Sequence, residues 1–113
     1  MNEAFAFRLG WSAAAWSLAA KASGEVLLGR DTRASGPSLL AAVAAGISAA
    51  GLRPVSLGIL PTPAVARAVQ TRGSALGVVL TASHNPASDN GIKFFTRGGR
   101  KLTDADEATI EDH

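Results

Sequence analysis

The sequence predicts a three-layer α/β/α sandwich around a mixed sheet of about four strands, the last strand antiparallel to the others. Three observations carry this. Short apolar runs at residues 25–29, 54–57 and 76–80 are each separated from the next by a longer stretch with helical periodicity. That alternation is the signature of parallel strands joined by crossover helices, which are right-handed. A fourth run, residues 92–95, follows the third with only a turn-rich segment between them, so it must come back antiparallel at one edge.

The first helix is expected over residues 3–22. Phe5, Leu9, Ala13, Trp16 and Ala20 recur every three or four positions and mark its inner face. Ser23-Gly24 stops it, because glycine accepts the left-handed conformation after a last turn. Trp11 and Trp16 read as packing residues. The strand 25–29 follows, then the loop Arg30-Asp31-Thr32-Arg33-Ala34-Ser35-Gly36. Pro37 suits the first position of a second helix, whose apolar face is Leu39, Leu40, Val43, Ala44 and Ile47, and Gly51 closes it.

After the second strand, Thr62 is placed as a cap and Pro63 in the first turn of a helix running to about Thr71, with Gly73 as its stop. The third strand delivers Thr81-Ala82-Ser83-His84-Asn85-Pro86 to the loop beyond its carboxyl end. Asp89-Asn90-Gly91 signals a turn, since Asn and Gly tolerate positive φ. Arg97-Gly98-Gly99 then turns the fourth strand back toward Arg100-Lys101-Leu102. Thr103 and Asp106 have the spacing of a capping box opening a last helix. Residues 1–113 are therefore expected to form one domain, with no repeat, linker or low-complexity segment.

Composition narrows the class. The chain is 47% apolar, with twelve glycines and six Phe plus Trp, which suits helices packed closely on a sheet. Eleven basic and nine acidic side chains nearly balance, at a net charge of +2, and the bases are scattered along the sequence. Nucleic-acid binding is not expected, because it calls for a dense basic face with stacking aromatics. With no cysteine there are no disulfides or thiolate metal sites. No apolar run reaches the ~20 residues that span a bilayer. The acidic start at Glu3 and the charge at Arg8 do not make a secretory signal, so a cytoplasmic protein without a membrane partner is expected.

Sheet polarity gathers the chemistry. Open α/β sheets bind ligands beyond the carboxyl ends of their strands. Arg30 and Arg33 follow the first strand; Ser83, His84 and Asn85 follow the third; Lys93 lies near the start of the returning strand. Cations around a single hydroxyl describe an oxyanion site of the phosphate type. Each residue also has a plainer reading: Ser83 as a turn hydroxyl, His84 as loop packing, Asn85 as turn chemistry, an arginine bracing Asp31, Lys93 as a solvated strand residue. Neither the P-loop pattern nor the dinucleotide glycine fingerprint is present.

Together, Gly29-Arg30-Asp31-Thr32-Arg33 with Ser35-Gly36, Pro61-Thr62-Pro63, Thr81-Ala82-Ser83-His84-Asn85-Pro86 and Asp89-Asn90-Gly91-Ile92-Lys93-Phe94-Phe95 resemble the first domain of the α-D-phosphohexomutases. The run from Asn90 to Phe95, with Pro61-Thr62-Pro63, is most similar to the phosphoglucosamine mutase branch, beside the phosphomannomutase/phosphoglucomutase one. The resemblance implies that Ser83 is the serine that carries a phosphoryl group and returns it through a sugar bisphosphate. It implies proton transfer or charge stabilisation by His84 and Lys93, and phosphate binding by Arg30, Arg33 and Asn85. It also implies Mg²⁺ held by the phosphate on Ser83 and by aspartates of a second domain.

Against that family the chain is expected to lack a first strand and three further domains. An unpaired sheet edge is a route to self-association, and the isolated chain is expected to turn over little or no phosphosugar. The alternative is a non-catalytic phosphate-binding or protein-interaction module that kept the fold.

Overall fold

The computed structural model describes residues 3–20, 24–30, 37–82, 90–102 and 110. Three helices and four strands follow in the order α1 (Glu3–Ala19), β1 (Glu25–Arg30), α2 (Pro37–Ala50), β2 (Arg53–Ile59), α3 (Thr62–Arg72), β3 (Leu76–Ala82) and β4 (Asn90–Thr96). The strands form one sheet in the order β2-β1-β3-β4. β1 pairs parallel with β2 and β3, and β4 pairs antiparallel with β3. The expected mixed sheet is what the chain builds.

Alternation along the strands divides the core in two. Val26, Leu28, Leu76, Val78, Leu80 and Phe94 share one cluster with the inner faces of α1 and α2. Val79 and Phe95 meet Val65 of α3 on the opposite face. Glycines set how closely α3 approaches the sheet. A Cβ on Gly29 would lie 2.6 Å from Val65 Cγ2, and one on Gly77 would lie 2.5 Å from Val69 Cγ2. The two valines therefore rest directly on bare backbone.

The inner face of α1 keeps Leu9 and Ala13 as expected but is turned away from Phe5 and Ala20 toward smaller residues. Ala6, Leu9, Gly10, Ser12, Ala13, Ala14 and Ser17 are buried, while Phe5 and Trp11 are 48% and 40% exposed and Trp16 is only partly covered. The reason is backbone contact with α2. A Cβ at Gly10 would collide with the Val43 carbonyl, and one at Gly46 with the Phe7 carbonyl. Small residues win the interface because two helices this close leave no room for rings.

Three local expectations change as well. The helix ends at Ala19, with Gly24 at φ 104° before β1, while residues 21–23 lie outside the described set. Thr62 is not the cap of α3: Pro61 holds that position in extended conformation, without a side-chain cap bond, and Gly73 at φ 64° ends the helix as expected. Asn90 and Gly91 are not turn residues but the first rungs of β4, opposite Ala82 and Thr81. The proposed capping box at Thr103 and Asp106 lies outside the described residues.

At the amino ends of the strands, the Glu25 carboxylate binds three partners. It accepts hydrogen bonds from Arg72 Nε at 2.6 Å and Arg72 Nη2 at 2.9 Å, from Ser74 Oγ at 2.7 Å, and from Arg53 Nη2 at 3.3 Å. The Arg72 and Ser74 hydrogen bonds lead in holding its carboxyl down at about 2, far below the ordinary value of 4.5. One side chain thereby ties β1, β2 and the end of α3 together.

Candidate active site

The carboxyl ends of the parallel strands make the candidate site. β1 and β3 are neighbours in parallel register, Arg30 standing opposite Leu80. The chain leaves for residues 31–36 and 83–89 from adjacent strands at the same rim. The two departure points are one strand spacing apart (~5 Å) and offset by two residues, or ~7 Å, along the strand. The last described residues of β1 and β3 are therefore neighbours at one rim.

β2 ends at this rim too. Ile59 pairs with Arg30 through a register shift after Leu28, and the Leu60 amide donates to the Arg30 carbonyl at 3.1 Å. The shift is a bulge: Gly58 sits at φ 76°, and its amide donates to Ser56 Oγ at 3.2 Å. Pro61-Thr62-Pro63 and the start of α3 consequently open at the rim. Thr62 is added here to the six predicted residues, because α3 begins directly after a parallel strand. This helix end has few donors to offer, because the Ala64 and Val65 amides both turn back to the Pro61 carbonyl.

Of the six predicted site residues, two are described. Arg30 is half-buried at the last position of β1, in phase with Val26 and Leu28 and so on the α1/α2 face. Lys93 is exposed on β4, opposite Val79 and in phase with Phe95, which places it on the α3 face. It is three rungs below the Ala82–Asn90 pair, ~10 Å in from the rim. Arg30 and Lys93 approach the rim from opposite faces of the sheet. Ser83, His84, Asn85 and Arg33 lie outside the described residues.

Among the described residues no group of three or more His, Asp or Glu side chains could hold a metal ion. One phosphate oxygen on Ser83 would not hold Mg²⁺ either, since the ion keeps its waters unless several anionic ligands replace them. The described residues do not by themselves fit a resident Mg²⁺ site.

This architecture defines an α/β/α domain whose chemistry, if it has any, belongs to loops at the strand carboxyl ends. Comparison with known proteins gives the family. The family model "phosphoglucomutase/phosphomannomutase, alpha/beta/alpha domain I" matches residues 1–113. The chain belongs to this phosphohexomutase family, as its domain I.

Relatives in sequence carry the name phosphoglucosamine mutase. Phosphoglucosamine mutase 2 of Shewanella baltica is 53% identical over 107 residues, covering 95% of this chain and 24% of that protein. The phosphoglucosamine mutase of Psychromonas ingrahamii is likewise 53% identical, with the same coverage. In structure, a phosphoglucomutase/phosphomannomutase family protein from Burkholderia thailandensis superposes with a TM-score of 0.84 at 29% identity, over 99% of this chain and 26% of that one. The chain spans about a quarter of the length of the relatives it matches. No described helix is long and apolar enough to cross a membrane.

Proposed function

We propose that this chain is the phosphoserine-bearing domain of a phosphohexomutase that interconverts hexosamine phosphates, within a protein of several domains. The observation that carries the reading is the side-by-side departure of the Arg30 and Ser83 loops from adjacent parallel strands. In the proposed step, a hydroxyl of the sugar monophosphate attacks the phosphorus on Ser83. The P–Oγ bond breaks as the new P–O bond forms, Ser83 Oγ takes up a proton, and a sugar bisphosphate results. The bisphosphate turns over and returns its other phosphoryl group to Ser83.

His84 exchanges the protons, Lys93 offsets the charge on the moving group, and Arg30, Arg33 and Asn85 hold phosphate oxygens. A phosphoserine brings about −1.5 to −2 of charge, so positive groups on both faces of the sheet can converge on it from two sides. Mg²⁺ would supply further charge neutralisation through ligands outside this chain, and no step above is routed through it.

Intact-mass spectrometry of the chain incubated with a hexosamine bisphosphate tests the reading. Phosphate should appear on wild-type protein and not on Ser83→Ala. Unmodified wild-type protein, or equal labelling of Ser83→Ala, would overturn it.

A further inference from the structure

The end of the sandwich opposite the proposed site carries four of the nine described Arg and Lys residues. Arg53 starts β2, Arg72 ends α3, and Arg97 and Arg100 flank the turn after β4. The turn is tight. Thr96 N–H donates to the Arg100 carbonyl at 2.7 Å, the Gly99 amide donates back to Thr96 at 2.8 Å, and Gly99 takes φ 81°. This is the three-residue hairpin with glycine in the left-handed position.

Gly99 also lies against α3. A Cβ there would come within 2.7 Å of the Ala66 carbonyl and 3.1 Å of Gln70 Cβ. That contact sets the hairpin arginines beside α3, where Arg67 is the next residue after Ala66.

Arg67, Arg97 and Arg100 are all exposed, and none makes an ion pair or side-chain hydrogen bond within the described residues. Arg72 and Arg53 already hold a carboxylate, Glu25, which is the one described acid at this end. The Arg72 guanidinium binds it through two N–H groups, the fork geometry that suits carboxylates. The exposed aromatics Phe5, Phe7 and Trp11 are on α1, across the sheet from α3, so among the described residues no exposed aromatic ring stands beside these arginines to stack on bases.

We propose that Arg67, Arg97 and Arg100 form a docking surface for a carboxylate-rich polypeptide segment, where the hairpin after β4 meets α3. Arginine forks without a stacking platform favour carboxylates over single-stranded nucleic acid. Arg97 and Arg100 stand on a hairpin braced by Gly99 and Arg67 on the helix it braces against, so the backbone positions of all three are set before binding.

The test is fluorescence anisotropy of the full chain with a labelled deca-glutamate peptide, a single-stranded oligonucleotide of equal charge, and phosphatidylserine vesicles. The peptide should bind at low salt and weaken as ionic strength rises to about 0.15 M, where the screening length falls to about 8 Å. The triple variant Arg67→Gln/Arg97→Gln/Arg100→Gln should keep the wild-type melting temperature and bind at least tenfold more weakly. Failure of the peptide to bind, unchanged binding in the variant, or equal or tighter binding of the oligonucleotide or the vesicles would each overturn the proposal.

Discussion

Lys93 stands opposite Val79 in the β3–β4 ladder, three rungs inside the Ala82–Asn90 pair that precedes Ser83. Its position relative to the loop is therefore fixed by backbone pairing, while its exposed side chain is free to extend along an edge strand. In the proposed mechanism, a cation placed this way meets the charge of a phosphate on Ser83 without being buried beforehand. Its desolvation is deferred until substrate arrives.

Lys93→Ala, made in the intact parent enzyme, should therefore reduce phosphoryl transfer without reducing stability. Loss of one hydrogen bond to a charged group costs about 1.5–3 kcal/mol, which is roughly a 10- to 150-fold loss in kcat/KM. The exposed site predicts an unchanged melting temperature. Normal kinetics in the variant would remove Lys93 from the mechanism.

The isolated chain should show no measurable turnover of glucosamine phosphate, even with Mg²⁺ present. It has the proposed phosphoryl carrier, Ser83, but no described cluster of metal ligands, and it spans about a quarter of its relatives. A coupled assay on the purified chain checks this, and steady turnover that disappears in Ser83→Ala would contradict it.

Much of this was legible from the residues. Strand existence and polarity followed from short apolar runs separated by helical stretches, because a parallel pair requires a crossover. Three of the four motifs could be assigned to one rim for the same reason, and Pro61-Thr62-Pro63 could not. The face of α1 could not be read. A hydrophobic-periodicity argument favours Phe5 and Trp16, whereas the packing was decided by Gly10 and Gly46, whose value lies in what they lack. Asn90-Gly91 misled in the opposite way: turn-prone residues were recruited into β4 because the ladder from Ala82 extends to them. The hairpin contact between Gly99 and α3 was invisible too, since it joins residues thirty positions apart in sequence.

Acid should weaken the domain through Glu25. Its carboxyl titrates near 2 when folded and near 4.5 when free, so the unfolded chain binds the proton first. The stabilisation is complete above about pH 4.5 and disappears as pH falls toward 2. With Arg72 half exposed, the contribution is on the order of 2 kcal/mol, below what the full shift would give. Urea unfolding at stepped pH should show wild type losing this increment below pH 4.5. Glu25→Gln should be weaker by that amount at pH 7 and should converge with wild type near pH 2; parallel curves at every pH would exclude the assignment.

The α1–α2 contact makes a sharper claim, because helix propensity and packing disagree about it. Gly→Ala inside a helix ordinarily gains up to about 1 kcal/mol. At Gly46 the added methyl would meet the Phe7 carbonyl and the Trp11 amide, both backbone, so no side chain can rotate away and α1 must move. Overpacking of this kind costs about 1–3 kcal/mol or more, and forced separation of two helices belongs at the upper end. Gly46→Ala should lower the melting temperature by roughly 10 °C, at about 4–8 °C per kcal/mol for a domain of this size. Gly98→Ala is the control, since nothing lies within 4 Å of its added methyl. If calorimetry finds Gly46→Ala as stable as wild type, α1 and α2 are not in backbone contact, and the explanation for its exposed aromatic rings fails with it.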